Sequence, residues 1–220
     1  MIVTIDGPAG SGKSTAARAL AARIGFEYLD TGAMYRAVAL ALARRGIDLG
    51  NVGAVEAALP AIHVEMPPGR VLLDAEDVTT AIRAPVVSQG ASRVAVLPAV
   101  RRFLAAEQRR IAVGKSIVCE GRDQGTFVFP DAGCKFFLTA DPVVRAERRY
   151  HELLAKGERV SHDDVLTAQQ ERDARDASRD LAPMQPAADA VLLDTTHLSA
   201  SEVVARMAEA VARRSPRSDS

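Results

Sequence analysis

Apolar positions come in short runs, each followed by a stretch with helical spacing. Ile2–Asp6 reads as a buried strand and Lys13–Ile24 as the helix after it. A second strand over 26–29 leads into a long Ala-rich helix over 31–45, with Gly46 as its stop signal. Three more apolar runs bounded by turn residues lie at 116–120, 135–139 and 190–193. Helical patterns follow the last two, at 141–154 and 199–213. This alternation predicts a parallel sheet flanked by helices. Residues 62–79 break the rhythm. Short runs at 62–66 and 71–74 flank Pro67-Pro68-Gly69, which predicts a hairpin, and two helices follow at 85–96 and 98–112. The chain therefore reads as one domain, with a core over 1–60 and 113–213 and an insert over about 61–112. The polar tail, from about residue 214, is expected to fray.

At 220 residues with 48% hydrophobic positions, the chain can bury a full α/β core. Its 28 basic and 28 acidic residues cancel, which argues against a general nucleic-acid binder. No apolar run reaches membrane-spanning length, and the first residues lack the pattern of a secretion signal. Cys119 and Cys134 are too far apart for a CxxC unit and read as buried free thiols, so the cytoplasm is the expected location. The four histidines are scattered, and no structural metal site is expected.

Chemistry enters directly after the first strand. Gly7-Pro8-Ala9-Gly10-Ser11-Gly12-Lys13-Ser14-Thr15 meets the spacing G-x-x-x-x-G-K-[ST]. Glycines let the backbone curl so that successive N–H groups face phosphate oxygens, and the next helix adds the positive end of its dipole. Lys13 can reach the β- and γ-phosphates of a bound triphosphate, and the Ser14 hydroxyl can ligate Mg²⁺. With the strand–helix alternation, this implies a P-loop NTPase fold, a three-layer α/β sandwich around a central parallel sheet. No guanine-reading N/T-K-x-D segment follows a strand, so a GTPase is disfavoured.

A small-molecule kinase needs arginines to bring two anionic substrates together. Thr31, Tyr35 and Arg36 follow the second strand, where strand ends of a parallel sheet face the ligand crevice. Glu120-Gly121-Arg122-Asp123-Gln124-Gly125 follows a presumed central strand and reads either as a turn salt bridge or as a ligand contact. On a helix, Arg172, Asp176 and Arg179 share one face, and spacing alone leaves a salt-bridged solvent face open.

Together these segments resemble the bacterial cytidylate kinases over nearly the whole chain. The most specific are Leu29-Asp30-Thr31-Gly32-Ala33-Met34-Tyr35-Arg36 and Gly121-Arg122-Asp123-Gln124-Gly125. Gln124 departs from the apolar residue, often Met, expected at its position. The resemblance implies a core, an acceptor-binding insert and a short lid over about 155–162, flanked by Arg145, Arg148, Arg149 and Arg159. It implies that Ser92, Arg101 and Asp123 read the base, and that Arg36, Arg122 and Arg179 bind phosphate. Arg172 and Asp176 are implied to contact ribose, with Tyr35 lining the pocket. Asp123 can accept from the cytosine amine, whereas uracil offers a carbonyl there, a mismatch worth on the order of 1–3 kcal/mol. The expected reaction takes ATP and CMP or dCMP to ADP and CDP or dCDP, with Mg²⁺, in a monomer that binds neither nucleic acid nor membrane. Lys13, Arg122 and Arg179 are the expected catalytic side chains. Two alternatives remain at this point: a P-loop kinase for another nucleotide or a small metabolite, and a module that binds ATP without transfer.

Overall fold

A computed structural model describes residues 1–155 and 157–214. The chain divides into two compact units, one formed by 1–28 and 115–220 and the other by 29–114. The second unit takes in the expected insert, 61–112, and also the helices that precede it.

The first unit is built on β1 (Ile2–Asp6), which runs parallel to both β6 (Ile117–Glu120) and β7 (Cys134–Thr139). β8 (Val191–Asp194) continues the sheet beyond β7, and β2 (Glu27–Asp30) lies outside β6. Alternation along these strands sorts their side chains. Val3, Ile5, Val118, Phe136 and Leu138 enter one core cluster with α1 (Lys13–Ile24) and α8 (Ala200–Arg214). Thr4, Asp6 and Lys135 are also buried, but they line the polar surroundings of Gly125 instead. The expected strands and helices of this unit all form, with ends shifted by a residue or two. α8 extends through Arg214, and the rest of the expected tail, 215–220, lies outside the described residues.

A helical hairpin completes the unit. α6 (Pro142–Ala155) packs on α7 (His162–Ala177) around Ala146, Leu153 and Val165. Ser161 caps α7 by accepting the Asp164 N–H.

In the second unit, Asp30 caps α2 (Thr31–Arg44) and Asn51 caps α3 (Val52–Ala58). The expected hairpin is a three-stranded antiparallel meander of two-residue strands, β3 (Val64–Glu65), β4 (Leu72–Leu73) and β5 (Glu76–Asp77). α4 (Pro85–Val94) and α5 (Pro98–Ala112) each begin on a proline, whose missing N–H costs nothing in a first turn. Among the described residues, no helix is long and apolar enough to cross a membrane.

Candidate active site

The loop from Gly7 to Gly12 is shaped by close approaches that only glycine permits. Gly7 has φ +139°, and a Cβ there would lie 2.0 Å from the Leu138 carbonyl oxygen. Gly10, at φ +76°, passes so near α6 that a Cβ would meet the Arg145 carbonyl oxygen at 2.7 Å. Gly12 precedes α1 in the left-handed region and has no side chain to occupy the first-turn N–H groups, leaving them to an anion. Ser11 Oγ donates to Pro8 O at 3.0 Å, and Lys13 Nζ donates to the same oxygen at 2.5 Å. Ser14 and Thr15 are exposed on the first turn.

Lys13 is only 5% exposed. Burial presses its pKa well below the ordinary lysine value, and the charges of Arg122 and Arg172 press it further against the opposing pull of Glu120 and Asp6. The loop lysine and two of the expected acceptor arginines therefore share one electrostatic neighbourhood. Such a concentration of cations is relieved by a polyanion.

Asp176, on the last turn of α7, organises the arginines. Its Oδ2 accepts from Arg122 Nε at 2.9 Å, and its Oδ1 pairs with Arg179. Burial alone would raise the Asp176 carboxyl, but Arg122, Arg179 and Arg172 outweigh it and hold the pKa below the usual carboxylate value. The expected single helical face is corrected in one respect. α7 ends at Ala177 with Ser178 as its C-cap, so Arg179 is not helical. The Met184 N–H closes on the Asp176 carbonyl, folding 178–183 back on the helix end, and Arg179 reaches Asp176 from that segment.

The turn after β6 is equally ordered. Asp123 is buried, and its carbonyl accepts the N–H groups of Phe127 and Val128, opening a wide turn over Gln124–Val128. Gln124 folds against Gly121, where a Cβ would lie 2.7 Å from Gln124 Cγ. Among the described residues, no donor reaches the buried Gln124 Oε1. Gln124→Met is therefore expected to raise stability by about 1 kcal/mol, since it removes an unsatisfied acceptor while keeping the length of the side chain. Urea unfolding measures this, and a lower midpoint would show that the amide is satisfied.

Asp173 carries no local sequence signal, and the arginines expected to flank the lid take several different partners. Asp173 accepts the Ala9 N–H at 3.4 Å and pairs with Arg145 at 2.5 Å. Arg145 also donates to Ala9 O and Ala140 O, bracing the phosphate loop against α6 and α7. Arg148 is held by Thr195, Arg149 pairs with Glu152, and Arg159 is exposed. Glu120 accepts from Tyr28 Oη at 2.8 Å. A carboxylate ending a fully buried strand was the one clue available for Glu120.

In the second unit, Thr31 is buried at the start of α2, and Arg36 pairs with the capping Asp30 at 3.2 Å. Tyr35 is partly exposed on the same helix. Ser92 lies on α4, and Arg101 of α5 is buried with Nη1 donating to Ala95 O, at the C-terminal end of α4.

The fold is shared with P-loop kinases of very different sequence. Shikimate kinase from Bacteroides thetaiotaomicron superposes with a TM-score of 0.50 at 13% identity, covering 96% of this chain and 98% of that one. Sequence similarity is far more specific. Cytidylate kinase of Solibacter usitatus is 51% identical over 205 residues, 92% of this chain and 88% of its own. Cytidylate kinase of Carboxydothermus hydrogenoformans is 44% identical over 218 residues, 97% of this chain and 98% of its own. A bifunctional pantoate ligase/cytidylate kinase of Synechococcus is 46% identical over 92% of this chain, which spans 39% of that longer protein. The cytidylate kinase family itself matches from residue 3 to residue 213, and this chain belongs to it.

Proposed function

We propose that the chain transfers the γ-phosphoryl group of ATP to the phosphate of CMP and, as a second acceptor, of dCMP. The observation that supports this best is the gathering of Arg122, Arg172 and Arg179 around Asp176, with Lys13 of a complete phosphate loop in the field of Arg122 and Arg172. Four cations exceed what one triphosphate loop needs and suit two anionic substrates meeting head to head.

Residues 7–15 hold the donor phosphates through backbone N–H groups, and Lys13 offsets charge developing on the transferring group. Arg122, Arg179 and Arg36 hold the acceptor phosphate. Arg172 and Asp176 take the ribose, Ser92, Arg101 and Asp123 read the base, and Thr31 and Tyr35 line its surroundings. The acceptor oxygen is already ionised near neutral pH, with a second phosphate pKa of about 6, so no side chain acts as general base.

The residues present suit Mg²⁺ held mainly by phosphates and water. Ser14 offers an exposed hydroxyl on the first turn of α1, and among the described residues no cluster of three or more His, Cys, Asp or Glu could hold a metal alone. When bound there, Mg²⁺ would offset negative charge on the phosphates. The connection over 155–162, of which residue 156 lies outside the described residues, has Gly157 at φ +79° and serves as a lid that excludes water during transfer. We take the enzyme to be a cytoplasmic monomer, in keeping with its two buried free cysteines.

An ADP-release assay with ATP and Mg²⁺ tests the reading, run separately with CMP, dCMP, UMP, AMP, GMP and shikimate. Turnover is expected to be strongest with CMP and dCMP. In Asp123→Ala, kcat/KM for CMP is expected to fall by roughly 10–100-fold while the ratio of CMP to UMP narrows, since one hydrogen bond to a charged group is lost. Preference for AMP, GMP or shikimate in the wild type would refute the acceptor assignment. No turnover with any of them would point to a binding module.

A further inference from the structure

Asp6 is a buried carboxylate to which the transfer scheme gives no task. It ends β1 one residue before the phosphate loop and is 4% exposed. Its Oδ1 accepts the Gln124 N–H and its Oδ2 the Gly125 N–H, both at 2.8 Å. Around it stand Gly125, Thr4 and the Lys135 stem, packed so tightly that a Cβ on Gly125 would lie within 3.4 Å of the Thr4, Lys135 and Asp6 side chains. The charged groups it feels are Asp123 and Lys13. Burial lifts its pKa to about 7, and the two N–H groups only partly counter this. Holding such a group ionised is costly, and an apolar side chain would fill the space at less expense if packing were the whole requirement.

The two bonds explain what the carboxylate achieves. One side chain, anchored on the strand that feeds the phosphate loop, grips successive backbone N–H groups of the turn that carries Arg122 and Asp123. Both oxygens are used, so the turn is fixed against sliding as well as lifting. We propose that Asp6 is a positioning residue that sets the acceptor-side turn, Arg122 and Asp123, in fixed register with the phosphate loop. Its consequence for catalysis rests on the roles proposed above for those two residues.

Asp6→Asn tests this in the full-length enzyme. The variant keeps volume but presents an amide NH₂ to one of the two N–H groups, so the turn must shift. KM for CMP is expected to rise and kcat/KM to fall by about 10²-fold, the scale of a misplacement near 1 Å. Discrimination of CMP over UMP should narrow, while the Kd for ADP stays within about twofold. Hydrogen exchange supplies a readout independent of activity: peptides covering 121–128 should exchange faster in the variant, and those covering 7–15 should not. Parallel losses in ADP binding, CMP and UMP turnover and thermal midpoint would reduce Asp6 to a structural residue and overturn the proposal. So would unchanged exchange with unchanged kinetics. If the wild type itself fails to prefer CMP, the acceptor reading falls, and the exchange contrast still decides whether Asp6 pins the turn.

Discussion

Replacing Lys13 with methionine is expected to give a protein at least as stable as the wild type that has lost about 10³-fold in turnover, the upper range for removing one preorganised charge at a transition state. The two halves of this expectation share a cause. Lys13 is buried beside Arg122 and Arg172, and its charge is resisted by the folded state, as its lowered pKa records. Methionine keeps the stem and removes the charge. The Lys13 Nζ bonds to Pro8 O and Ser11 Oγ are lost, but both partners still bond to each other. The pH dependence gives a further check. The unfolded lysine holds its proton up to about 10.5, while the folded one releases it earlier. Between those values the unfolded state binds more protons, so wild-type stability gains with rising pH, and Lys13→Met should lack that gain. Urea unfolding across the alkaline range and the ADP-release assay measure both halves. A variant that is less stable and still turns over would contradict the role given to the loop lysine.

Asp176→Ala carries the second large effect, now mainly in stability. Its carboxylate is 6% exposed and pairs with Arg122 and with Arg179, itself 6% exposed, while Arg172 acts on it from the same helix. Removing it takes away the carboxylate that offsets these guanidinium charges, and breaking a buried pair in this way costs about 3–5 kcal/mol. Asp176→Asn should cost less, because the amide oxygen still accepts from Arg122. The lost stability should be partly restored by tens of millimolar sulfate, which binds the folded form by mass action, and the wild type should gain less. Since the Asp176 pKa is lowered on folding, its contribution is present above the unfolded value of 3.8 and is lost as the pH falls through the folded one. An alanine variant that unfolds at the wild-type midpoint, with or without sulfate, would show that the arginines are sufficiently solvated to stand apart.

Elements whose cause is local were legible in the sequence. Lys13–Ile24 and Pro98–Ala112 follow from helical spacing between clear boundary residues, and the phosphate loop from a run of nine residues. The short helix Val52–Ala58 and the third meander strand, Glu76–Asp77, give too little periodicity to register, whereas Pro67-Pro68-Gly69 between two apolar runs marks the first two strands. Arg179 was legible as an arginine of the cluster but not as a non-helical one, because helical spacing continues past Ala177 and only the return of Met184 to the Asp176 carbonyl reveals the break. Asp6 and Asp173 escaped for a different reason. Each acts on backbone N–H groups far away in the chain, and an N–H group is the same at every residue, so no pattern of side chains announces its partner.

The point at which the second unit leaves and rejoins the first has an evolutionary consequence. Tyr28 and Lys115 bound the first unit on either side of it, and there the Glu27 N–H bonds to the Ser116 carbonyl at 2.9 Å while Lys115 pairs with Glu27 at the same distance. Seen from the sheet, everything from the end of β2 at Asp30 to Gly114 is a single excursion between adjacent strands. Closure entropy grows only with the logarithm of length, so lengthening a minimal crossover of about a dozen residues to that span costs about 2 kcal/mol. A lineage could therefore exchange the whole excursion by recombination at two neighbouring positions, while the strand order and the phosphate loop are inherited untouched.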